Sequence, residues 1–242
     1  MSFREKVRLA FSRGDNDVVV RLSEAAIDRA RATGNLADEV EAHYNLARVA
    51  LRDDDLPRAT ALAREGLAVA LRSDDRGLQE RPRHVLAAVA RMSGDLARSR
   101  TLYQELILLN EALEQPKLAH TNYHNLAFCE VGLGNLDVAR TLFAACRERV
   151  FRHGWDDLVP YVYMAAAAVA SAEGDHPKAA RMIGTANEAF AALGQVPDPD
   201  DAADLDTVRD AAIRALGPAG FADQCSQGQL HHSDTAFDNG VR

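Results

Sequence analysis

Arg48, Arg81 and Arg91 recur at helical spacing among aromatic and imidazole side chains: Tyr44, His84, His124, Phe128 and Tyr161. A guanidinium is a planar fork of donors that can grip a carboxylate through two parallel hydrogen bonds. Arginine mixed with aromatic residues is also a composition enriched at binding surfaces. The chemistry these residues predict is therefore recognition of a peptide carboxylate or an acidic side chain. Catalysis is not expected. His84 and His124 lie 40 residues apart, and a metal shared between them would need a third ligand that no carboxylate clearly supplies. They read as groove or packing histidines. The sequence contains no nucleophile elbow, no HExxH and no Gly-rich phosphate loop. No catalytic residue, cofactor or metal is expected.

Two acidic stretches have structural readings. Asp53-Asp54-Asp55 precedes a helical segment and is expected to cap it. Asp198 to Asp206 lacks the Gly and Glu of a calcium-binding loop. It reads as a solvated linker that also places negative charge at a helix N-terminus. Cys129, Cys146 and Cys225 are too few and too widely spaced for a disulfide framework or a C-x-x-C site. The first two sit in apolar helical patterns and are read as small hydrophobes.

The elements that must position these groups follow from repetition. Turn-forming residues at Gly14, Asp54, Gly94, Gly134 and Gly174 are spaced by 40. A second series, Gly34, Asp74, Glu114, Gly154 and Gly194, has the same period and is offset by 20. Gly, Asn and Asp tolerate the left-handed conformation that ends a helix. Five residues after each turn of the first series comes Val19, Ala59, Ser99, Ala139 or Ala179, mostly small. Apolar residues keep the period too, as in Leu46, Leu86 and Leu126, and their local spacing is helical. The predicted helices cover 3–12, 16–32, 36–52, 56–72, 76–92, 96–112, 116–132, 136–152, 156–172 and 176–192. Pro57, Pro116 and Pro177 fall in first turns, whereas Pro82 and Pro160 lie deeper and predict a late start or a kink. After Pro197-Asp198-Pro199 one more amphipathic helix is expected through Leu205, Val208, Ala212 and Leu216, and a short one from Phe221 to about Gln227.

The chain has 242 residues and a formal charge of -8, with 47% apolar and 6% aromatic residues. That balance argues for a folded protein and against nucleic acid or an anionic membrane as the main partner. No apolar run approaches a membrane span and no signal peptide is visible, so a cytoplasmic protein is expected.

The Leu-Ala pairs (Leu46-Ala47, Leu86-Ala87, Leu126-Ala127), the Gly-Asp/Asn-Leu turns and the small residues after them resemble the tetratricopeptide repeat (TPR) family, in a long 40-residue variant found in bacterial signalling proteins. The resemblance covers about residues 14–194. It implies an all-α fold, a right-handed superhelix of about five helix pairs with C-terminal capping helices. The division expected is a repeat array over 1–195, a helical cap over 196–228 and a flexible tail over 229–242. Gly184, Gly194, Pro197, Ala215-Leu216-Gly217, Phe221 and Gly228 also resemble the end of the TPR region in actinobacterial signal-transduction ATPase/helix-turn-helix transcriptional regulators. Neither their ATPase signature nor their DNA-binding part is visible in this sequence.

In the TPR family the first helix of each pair lines a concave groove. That resemblance places Tyr44, Arg48, Arg81, His84, Arg91, Thr121, His124, Phe128 and Tyr161 in a partner-binding groove, within rows that also hold Glu41 and Met164. The implied function is a protein- or peptide-binding scaffold in bacterial regulation. The alternatives are a small-molecule sensor or accessory protein of a regulatory or biosynthetic pathway, homodimerisation through Leu205, Val208, Ile213 and Phe221, or a merely solvated polar face.

Overall fold

The computed structural model describes the backbone of residues 1–234 and side chains through Gln229. Among these residues there are eleven α-helices and no strand. They are α1 (Phe3–Ser12), α2 (Asn16–Thr33), α3 (Leu36–Arg52), α4 (Leu56–Ala70), α5 (Glu80–Met92), α6 (Leu96–Ala112), α7 (Pro116–Gly132), α8 (Leu136–His153), α9 (Val159–Ala172), α10 (His176–Leu193) and α11 (Pro199–Asp234). Consecutive helices pack in pairs, an all-α repeat fold as the 40-residue period predicts.

The boundaries follow from turn chemistry. In the first turn series Gly14, Asp54, Gly94, Gly134 and Gly174 all have positive φ, as do Gly34, Glu114, Gly154 and Gly194 of the second. Asp74 departs. After α4 a short 3-10 turn at Arg76–Gln79 intervenes, with the Asp75 carboxylate accepting from the Gly77 N–H, and α5 begins only at Glu80. A similar turn at Asp156–Leu158 delays α9. Pro82 and Pro160 lack the N–H that a helix interior needs, so both helices start near their proline. Asp55, Asp95 and Asp175 cap α4, α6 and α10 by accepting from the N–H of the third helical residue. The triplet Asp53–Asp55 is thus a C-cap, a left-handed turn and an N-cap in succession.

The chain forms two compact units. One comprises Met1–Cys129 together with Asp198–Asp200; the other comprises Glu130–Pro197 and the chain from Asp201 onward. In the first, Val7, Phe11, Val19 and Val49 join α1, α2 and α3. Ala47, Leu51, Ala59, Ala63, Val85 and Ala88 join α3, α4 and α5. Val19, Ala59, Ser99, Ala139 and Ala179 are all fully buried. They mark where helices approach too closely for larger side chains. Ser99 is the polar exception, and its hydroxyl is satisfied: it donates to the Ala87 carbonyl at 2.9 Å and accepts from the Cys129 thiol at 3.4 Å. In the second unit, α10 and α11 cross with backbones nearly touching. A Cβ at Gly184 would lie 2.1 Å from the Cys225 carbonyl oxygen, and one at Gly228 would lie 2.0 Å from that of Arg181. The Thr185 hydroxyl donates to the Gly228 carbonyl at 3.1 Å across this crossing.

α11 is two helices in succession, divided at Gly217 (φ 72°, ψ 162°) just before Pro218, where the expected pair divides; the second extends to Asp234 rather than about Gln227. Leu205 and Val208 of the proposed dimer patch are buried within the single chain, and Ile213 and Phe221 are partly so. Residues 235–242 of the expected tail lie outside the described residues. No helix among the described residues is long and apolar enough to cross a membrane.

Candidate functional site

The first unit brings the arginines of α3 and α5 onto one acidic segment. Arg91 donates from Nη2 to Asp200 Oδ2 at 2.6 Å, and both side chains are nearly sealed from solvent, at 2% and 6% exposure. The Tyr103 hydroxyl, from α6, bonds the same oxygen at 3.3 Å. Arg48 donates from Nη2 to Asp198 Oδ1 at 2.6 Å. Asp198-Pro199-Asp200 thus lies as a short strap with one carboxylate on each of two successive odd-numbered helices. Burial alone would raise the Asp200 carboxyl out of the ordinary range. Arg91, with His84 and Arg48, outweighs that burial and holds it below its usual value.

Aromatic rings orient the guanidinium groups. Arg48 lies over Phe11 (3.5 Å to the ring centroid) and beside Tyr44 (5.0 Å), and Arg81 lies over the same Tyr44 at 4.8 Å. Arg81 is partly exposed and bonds the buried Glu41 at 3.0 Å. Burial raises the Tyr44 hydroxyl above its usual range. On α7, Phe128 faces Arg91 at 5.4 Å and meets the His124 ring edge-on at 5.0 Å. Burial, helped by His120 and Arg91, pushes His124 down to about 3, so this imidazole is neutral at ordinary pH. His84 bonds through Nδ1 to Asn122 Oδ1 at 3.0 Å and packs edge-on against Tyr103.

Eight of the nine residues singled out in the sequence lie in the first unit, and seven of them are joined by these contacts: Tyr44, Arg48, Arg81, His84, Arg91, His124 and Phe128. Thr121, also on α7, donates its hydroxyl to the Lys117 carbonyl one turn back on its own helix. Tyr161 belongs to the second unit, where it packs edge-on against Phe190.

One expectation is corrected. The segment from Asp198 is not simply a solvated linker, because Asp200 is buried against Arg91 and Tyr103. The arginines expected to take a partner's carboxylate already meet carboxylates of the chain itself: Arg81 that of Glu41, Arg48 that of Asp198 and Arg91 that of Asp200. The sequence reading missed Asp198, Asp200, Tyr103 and Asn122. Tyr103 occupies the repeat position of Ala63, Phe143 and Ile183, all buried, and only its hydroxyl distinguishes it. The strap's signal was its lack of any repeat equivalent, but its partner lies 150 residues earlier in the chain.

No cluster of His, Cys, Asp and Glu among the described residues could hold a metal ion. The Cys146 thiol is pushed up to about 12 by burial, which removes its nucleophilic form.

No protein-family model matches the chain, and no curated protein matches it. Solved structures do. A Rap protein complexed with competence and sporulation factor superposes with a TM-score of 0.65 at 14% identity, over 97% of this chain and 71% of that one. BtubC (BKLC) from P. vanneervenii superposes with a TM-score of 0.59 at 19% identity, over 94% and 95% respectively. At these identities the likeness concerns the fold, which is a TPR-like helical repeat.

Proposed function

We propose that this protein is an interaction scaffold that binds a protein or peptide on the face formed by α3, α5 and α7 of its first unit. The observation that carries the reading is the strap: the arginines of this face already hold the segment that leads into α11 by two of its carboxylates. A fold similar to that of a Rap protein solved with competence and sporulation factor supports a binding role over a catalytic one. A regulatory setting is part of the proposal. It rests on that neighbour and on the resemblance of residues 174–228 to the TPR end of actinobacterial regulators.

The test compares partner recovery by the full chain and by a Tyr44→Ala/Arg81→Gln variant, in pull-downs read by mass spectrometry. Arg81 is partly exposed, and Tyr44 is partly exposed but also packs against the core of α3, α4 and α5, so the variant's melt is measured beside its binding. Proteins that bind this face should be recovered by the parent and lost from the variant. Equal recovery by a variant with an unchanged helical melt would overturn the assignment of this face.

A further inference from the structure

Asp198 and Asp200 are held in a manner unlike the other acidic residues of the turns. Asp55, Asp95 and Asp175 cap their own helices and face solvent. Asp198 and Asp200 instead reach groups more than ninety residues away in sequence: Arg48, Arg91 and Tyr103. The two carboxylates are two residues apart, with Pro199 between them as the first residue of α11. Each meets a guanidinium, and a tyrosine hydroxyl completes the inner one. These are the contacts an acidic peptide would make.

We propose that the strap Asp198-Pro199-Asp200 is an internal occupant of the binding face, and that the ligand of this face is an acidic peptide segment with two carboxylates two residues apart, which displaces it. The inference rests on the binding function proposed above and adds its ligand class and its regulation. In the resting chain the arginines are neutralised from within. A partner must therefore bring carboxylates of matching spacing, and it binds more weakly than the bare face would allow, by the fraction of molecules with the strap released. Neutral peptides gain nothing from the exchange, because they bring no carboxylate to replace the one that Asp200 holds 2.6 Å from the buried Arg91.

The probe is a fluorescein-labelled peptide copying residues 194–203, beside a version with both strap aspartates replaced by asparagine. Full-length parent protein and the Asp198→Asn/Asp200→Asn variant are titrated with each by fluorescence anisotropy. The acidic peptide should bind the variant at least tenfold more tightly than it binds the parent, and the asparagine peptide should bind neither. A folded variant that fails to bind the acidic peptide, or binds both peptides alike, overturns the proposal. If the variant does not fold, hydrogen exchange of the parent decides: saturating acidic peptide should speed exchange across the first turn of α11. No change there overturns the idea. A partner lost from the Tyr44→Ala/Arg81→Gln variant would keep the scaffold reading intact even then, so the two claims fail separately.

Discussion

The Arg91–Asp200 pair concentrates the cost of charge burial at one point. Two ions taken out of water are tolerated only while each keeps the other and its hydrogen bonds. Asp200→Ala alone should destabilise the protein by about 3–5 kcal/mol, because it removes the carboxylate that the buried Arg91 guanidinium meets at 2.6 Å. Arg91→Leu combined with Asp200→Leu should cost much less, since neither charge is then left behind. Urea unfolding of the single and double variants measures the difference, and equal losses would show that the pair is not the source. His124 adds a pH dependence of known sign. Its folded value of about 3 lies below the unfolded 6.5, so the unfolded chain binds the extra proton in between. Stability is full above pH 6.5 and falls with acidification, by up to about 1.4 kcal/mol per pH unit from this group. His43, also held down by burial, acts in the same direction, and Asp200 joins as the pH drops through the carboxylate range. Urea midpoints at pH 7.5, 6 and 5 should fall in that order, and a His124→Asn variant should show a shallower fall.

At the scale of the helices, the turns are where sequence and backbone correspond most directly. Asp54 (φ 57°) and Glu114 (φ 52°) occupy left-handed positions that glycine fills in the equivalent turns. A Cβ in that conformation costs about 1–2 kcal/mol, more for glutamate than for aspartate, whose short side chain is better tolerated there. Glu114→Gly should therefore stabilise by about 1 kcal/mol, a rise of roughly 2–4 °C in Tm for a chain of this size, readable by thermal melting. Asp54→Gly should gain less. This is also why the helices were legible. A 40-residue period, a helical apolar spacing and a left-handed residue at each stop are local signals. They placed eight of the first ten helix starts and all ten ends within two residues, and missed only the two starts that Pro82 and Pro160 delay. The candidate face was legible only as a set of helical rows, seven residues of which share contacts in the structure. The strap was not, because Asp-Pro-Asp after the last repeat reads locally as a loop, and no local pattern encodes a partner 150 residues away.

Across the whole chain, repeat packing makes stability a sum of neighbouring terms, so damage should stay near its origin. Gly184 tests this, because any side chain there must push α10 and α11 apart. Gly184→Ala should speed hydrogen exchange in α10 and α11 and lower the melting temperature, while amides in α2, α3 and α4 keep their protection. Uniform loss across all helices would mean that the chain behaves as one cooperative block.

The strap has a further consequence for the history of such a chain. Arrays built from a fixed period can lengthen or shorten by whole units, since each new unit meets the same neighbours as the old. Here a segment beyond the last repeat returns to Arg48 and Arg91, closing a long covalent loop. Duplicating or deleting one unit between them would change where that segment arrives and take the Asp200 carboxylate away from Arg91. Repeat number in this protein is thus fixed by a contact outside the repeats, and its relatives should vary in sequence far more readily than in length.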